Sequence, residues 1–75
     1  MEKPDMRILI VDDEEAMGRL LKSIVSGKGI PARAFTSPVK ALESLKKERY
    51  DLAFVDIRMD EMNGLEFLEK LMRLR

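Results

Sequence analysis

The chain is 75 residues long, 45% hydrophobic and 37% charged, which fits one small globular domain rather than a disordered segment. Its 14 basic residues balance 14 acidic ones and are scattered along the chain, so nothing resembles the basic stripe of a nucleic-acid-binding domain. Cysteine and histidine are both absent, which excludes disulfides, thiolate sites and imidazole ligands or bases; any metal here must be held by oxygen.

The longest apolar runs, Ile8-Leu9-Ile10-Val11 and Leu52-Ala53-Phe54-Val55, fall far short of the roughly 20 residues a membrane helix needs. Residues 1–5 form a polar leader without the apolar stretch of a signal peptide, so a cytoplasmic location is the default expectation. After the leader, residues 7–11 are apolar and rich in β-branched side chains, the pattern of a buried parallel strand. From Glu14 the period changes. Met17, Leu20, Leu21, Ile24 and Val25 recur at helical spacing and predict a core-facing stripe. Asp13, Glu14 and Glu15 suit the positive end of that helix, and Gly27 or Gly29 can end it.

Residues 32–36 predict a second strand. Ser37 as N-cap and Pro38 at the first helical position open a second helix, with Val39, Leu42 and Leu45 as its stripe. Lys46, Lys47 and Arg49 read as a solvated helix end. Residues 52–57 form the third strand, interrupted only by Asp56. After the loop 58–62, Asn63 and Glu66 make a capping box for a third helix with the stripe Leu65, Leu68, Leu71 and Met72. The order β-α-β-α-β-α with short connections predicts an α/β fold with a parallel sheet and helices on its faces.

Two strands end in acid. The C-terminal ends of parallel strands share one edge, so Asp12, Asp13 and Asp56 converge there if the first and third strands are neighbours. Clustered carboxylates are relieved by a cation, and Mg²⁺ suits a set of carboxylate, carbonyl and water oxygens. An ionised aspartate is already a nucleophile and needs no histidine beside it. Taken alone, Asp12 and Asp13 could simply decorate a helix N-terminus. Asp56 is harder to explain that way, because an acid late in an apolar strand is costly unless paired or functional. Asp60 and Glu61 read as solvated loop charges.

The segments Ile8-Leu9-Ile10-Val11-Asp12-Asp13-Glu14, Asp56-Ile57-Arg58-Met59 and Met62-Asn63-Gly64-Leu65-Glu66-Phe67 together resemble the bacterial response-regulator receiver domain, with local wording most similar to receivers of enhancer-binding transcription activators. The resemblance implies a flavodoxin-like sheet of order 2-1-3 in this chain. It implies that residues 1–75 are a truncated receiver, with three of the family's five βα units over 6–75. It also implies that Asp56 is the phosphoacceptor, Asp13 a direct Mg²⁺ ligand, Asp12 a ligand through water and Arg58 a ligand through its backbone carbonyl. A histidine kinase is the implied phosphodonor, and an effector domain or the remaining half of the domain the implied partner.

The sequence departs from the family at Asp60, where proline is usual, which predicts a looser loop. The family's later hydroxyl residue, aromatic switch residue and lysine have no counterpart among these residues. An apolar third strand at a sheet edge invites pairing, so self-association through it is expected, with no direct nucleic-acid or membrane binding. A non-phosphorylated interaction module is the alternative function. An enzyme is not expected: an aspartate phosphatase usually carries a second aspartate two positions on, where this chain has Arg58, and there is no phosphate-binding glycine loop.

Overall fold

In the computed structural model, residues 6–56 and 62–73 are described; Arg58, Asp60 and Glu61 lie outside them. The elements are β1 (Ile8–Val11), α1 (Glu15–Gly27), β2 (Ala32–Phe35), α2 (Pro38–Leu45), β3 (Leu52–Val55) and α3 (Gly64–Arg73). The three strands are parallel, as the element order predicts, and lie in the order β2-β1-β3 that the resemblance implies. β1 is central and almost wholly buried, which explains why its four residues are continuously apolar rather than alternating.

Register fixes which side chains share a face. Ile8 lies beside Ala32 and Leu52, and Ile10 beside Ala34 and Phe54. Alternate positions point the other way, so Leu9 and Val11 join Phe35, Ala53 and Val55 on the opposite face. There they meet Ala41 of α2, Met62, and Phe67 and Leu71 of α3 in one cluster. Leu9, Val11 and Phe67 are fully buried, and each such side chain contributes about 1.5–3 kcal/mol. Ser44, also buried, shares a hydrogen bond of 2.9 Å with the Tyr50 hydroxyl at the rim of this cluster.

Helix ends follow the expected chemistry. Ser37 Oγ accepts from the Lys40 amide at 3.2 Å, with Pro38 at the first helical position. The capping box at α3 is complete: Asn63 Oδ1 accepts from the Glu66 amide at 2.9 Å, and Glu66 Oε1 accepts from the Asn63 amide at 3.3 Å. Two residues past the end of α1, Gly29 has a φ of 79°, the left-handed conformation. The Gly29 amide donates to Ser26 O at 2.9 Å and the Ile30 amide to Val25 O at 3.2 Å, the paired bonds of a Schellman motif. Gly27 remains helical.

The predicted helix stripes are only partly buried. On α1, Leu21 and Val25 are half-buried while Met17, Leu20 and Ile24 are exposed; the residue that meets the sheet is Gly18, against Ala34. α1 lies over β1 and β2, so among the described residues its 17-20-24 flank has no strand beneath it. On α2 the buried residues are Pro38, Ala41 and Ser44, and Val39 is exposed. The small Ala41 brings the helix close enough to seal Leu9 and Val11. On α3 the buried face is Gly64 and Phe67 with Leu71 beside them, whereas Leu65 and Met72 are 69% and 71% exposed. Two apolar stripes run along α3, and the one carrying the bulky aromatic faces the core.

Candidate acidic functional site

The site forms where β1 and β3 give out. The Asp12 amide donates to Phe35 O at 3.0 Å and the Asp56 amide to Val11 O at 2.9 Å, so both aspartates are held by the last rungs of the ladder. Asp12 Oδ1 accepts from the Glu14 amide at 2.9 Å, which shapes the turn into α1. Glu14 itself caps through its backbone conformation and not its side chain. Asp13 is exposed at this turn, and Asp56 and Asp12 are half-buried.

One carboxylate oxygen from each of Asp12, Asp13 and Asp56 lies within 4.8 Å of the others. Unit charges this close repel by roughly 1–4 kcal/mol per pair, depending on how much water screens them. The donor set is oxygen only, and its spread suits a six-coordinate Mg²⁺ that binds some ligands directly and others through water, with metal–oxygen distances of about 2.1 Å. The structure therefore brings together three of the four sequence-predicted ligands. The fourth, Arg58, lies outside the described residues.

A second polar cluster, not anticipated from sequence, sits at the opposite edge of the sheet. Arg7 Nη2 donates to Glu48 Oε1 at 2.8 Å, and Arg33 Nη1 bonds the other Glu48 oxygen. Arg7 also lies over the Tyr50 ring and Arg33 over the Phe35 ring. The arginines fall on β2 and just before β1, and Glu48 follows α2, so these contacts tie three segments that only the fold makes neighbours. Exposed ion pairs of this kind contribute about 0–1 kcal/mol each.

A parallel α/β sheet with three acids gathered at the carboxyl ends of its strands has its candidate site where open α/β sheets bind ligands, beside the reversal of strand order. Comparison with known proteins gives the family. Residues 8–75 match the response regulator receiver domain, and the chain belongs to that family. It is 37% identical over 75 residues to protein-glutamate methylesterase/protein-glutamine glutaminase 3 of Burkholderia thailandensis, with 92% of this chain and 20% of that protein covered. It is similar to the crystal structure of an uncharacterized protein from Neptuniibacter caesariensis, with a TM-score of 0.89 and 36% identity over 96% of this chain and 53% of the other. It is also similar to the response regulator TrrA of Thermotoga maritima in complex with Mg²⁺-BeF, with a TM-score of 0.84 and 32% identity over 91% of this chain and 59% of the other.

The chain thus spans about a fifth of that methylesterase and a little over half of each solved relative. The relatives named here give no support to the narrower likeness to enhancer-binding activators; the curated one is a methylesterase. Among the described residues, no helix is long and apolar enough to cross a membrane.

Proposed function

We propose that this chain is the phosphoacceptor segment of a two-component signalling protein and that Asp56 receives the phosphoryl group. The reading is carried by the convergence of Asp12, Asp13 and Asp56 within 4.8 Å at the strand ends. A carboxylate oxygen of Asp56 attacks the phosphorus of a histidine kinase's phosphohistidine. The new O–P bond forms as the P–N bond breaks, and the imidazole nitrogen leaves with the electron pair. The backbone bond from the Asp56 amide to Val11 O fixes the nucleophile against β1. Asp12 and Asp13 would hold Mg²⁺, and by the family resemblance the backbone carbonyl of Arg58 would join them. Bound there, Mg²⁺ supplies the positive charge that lets an anionic nucleophile approach an anionic phosphoryl group. The response regulator TrrA, 32% identical to this chain, is in complex with Mg²⁺-BeF, which supports the reading.

Residues 6–75 are assigned as the first three βα units of a receiver, working in the cytoplasm with a histidine kinase and an effector domain. The methylesterase activity named for the curated relative is assigned to sequence outside the matched fifth, so no enzymatic role is given to this segment. A second reading, an interaction module that self-associates along β3, is favoured by the half-exposed Leu52 and Phe54.

The test is intact-mass spectrometry after incubation with Mg²⁺ and acetyl phosphate, with Asp56→Asn beside the parent. Gain of one phosphoryl group by the parent alone supports the phosphoacceptor reading. No gain by a chain that circular dichroism shows to be folded favours the interaction module.

A further inference from the structure

Asn63 is the only asparagine in the chain, glutamine is absent, and Gly64 follows it directly. The side-chain carbonyl carbon of an asparagine can be attacked by the amide nitrogen of the next residue. Glycine is the successor that hinders this attack least, because it has no Cβ and reaches backbone conformations closed to other residues. The pair stands at the start of α3, with Asn63 exposed and Gly64 buried. The Asn63 side chain is held there. Its Oδ1 accepts from the Glu66 amide at 2.9 Å, while Glu66 Oε1 accepts from the Asn63 amide at 3.3 Å. The Phe67 amide donates to Asn63 O at 3.0 Å, so the Asn63 carbonyl already belongs to the helix.

We propose that Asn63–Gly64 is a deamidation site gated by the α3 capping box. The Gly64 amide loses its proton and its nitrogen attacks Asn63 Cγ. The new N–C bond closes a succinimide ring as the bond from Cγ to the side-chain nitrogen breaks, and that nitrogen leaves as ammonia. Water then opens the ring at either carbonyl, giving aspartate or isoaspartate. Water is the sole co-reactant.

Ring closure turns Cγ onto the Gly64 nitrogen, so Oδ1 must leave the Glu66 amide. Gly64 is buried, so hydroxide reaches its amide proton only when the start of α3 opens. The capping box therefore acts as a latch: the folded chain reacts during openings, and the unfolded chain reacts at all times. The two products then differ in effect. Aspartate at position 63 keeps an acceptor at the cap and adds negative charge at a helix N-terminus, where it is favoured. Isoaspartate routes the backbone through the former side chain and adds a carbon to it. The spacing of the box is then lost, one turn before the core residue Phe67.

The test incubates the 75-residue chain at mildly alkaline pH, folded in buffer and unfolded in guanidinium chloride, and follows the intact mass. Because Asn63 carries the sole side-chain amide, an amide-to-acid mass gain comes from it, and tryptic peptide 59–70 locates the change. The unfolded chain should convert several-fold faster than the folded one and yield both products. Glu66→Ala loses the bond to the Asn63 amide. Folded by circular dichroism, it should convert roughly fivefold faster than the folded parent, the equivalent of one ordinary hydrogen bond. Glu66→Gln keeps an acceptor for that amide and should match the parent. Equal rates in the folded and unfolded parent overturn the proposal, as does an unfolded chain that does not convert. So does Glu66→Ala converting no faster than the parent, or Glu66→Gln converting as fast as Glu66→Ala, which would make the carboxylate charge and not the latch the protecting feature.

Discussion

The two faces of this sheet are built from the same kinds of side chain and end in different states. On the α2/α3 face, Leu9, Val11, Ala41 and Phe67 are sealed from water, and Ala53 and Val55 pack against them. On the α1 face, Ile8 and Ile10 are buried beneath the helix, but Leu52 and Phe54 stand half in solvent. The difference comes from coverage. Among the described residues, two helices roof one face, whereas α1 alone roofs the other and sits over β1 and β2. Hydrophobic pattern therefore states which residues need cover, and topology decides which receive it.

Substitutions should separate the faces. Phe67→Ala removes the largest fully buried side chain and should cost about 3–5 kcal/mol in urea denaturation, enough to unfold a chain whose size leaves little margin. Phe54→Ala, on the open face, should cost less than half as much in dilute solution, since its side chain has only partly left water. Equal costs for the two would remove the distinction between the faces. Asn63→Ala removes the side-chain leg of the α3 capping box, the Oδ1 that accepts from the Glu66 amide, while its own backbone amide can still donate to Glu66, and should cost about 1 kcal/mol, read as a lower urea midpoint. Gly18→Ala should act in the opposite direction. A methyl group there would meet Ala34 Cβ at 3.6 Å, an ordinary contact, so the helix-propensity gain of about 0.5–1 kcal/mol should appear as a higher midpoint. Loss of stability instead would show that α1 is packed more tightly on β2 than that distance allows.

Much of this was legible in the sequence. Element order and the Ser37 and Asn63 caps follow from local signals, periodicity and capping residues, whereas the strand order 2-1-3, and with it the convergence of Asp12, Asp13 and Asp56, came from the family resemblance. The buried faces of the helices were less legible. On α3, Leu65, Leu68 and Met72 and the pair Phe67 and Leu71 both recur at helical spacing, so period alone cannot choose between them. A size criterion, placing the aromatic inward, would have chosen correctly. On α2 the decisive residue is Ala41, whose smallness hid it from a search for large apolar side chains. The Arg7–Glu48–Arg33 cluster joins residues up to 41 positions apart and left no pattern in the chain.

Borohydride trapping tests whether Asp56 is the phosphoacceptor. The chain is incubated with Mg²⁺ and acetyl phosphate and reduced, so that an aspartyl phosphate becomes homoserine, and the reduced position is located by tandem mass spectrometry. Reduction at position 56 alone is the predicted result. Reduction at Asp12 or Asp13, or at no aspartate of a folded chain, would contradict it.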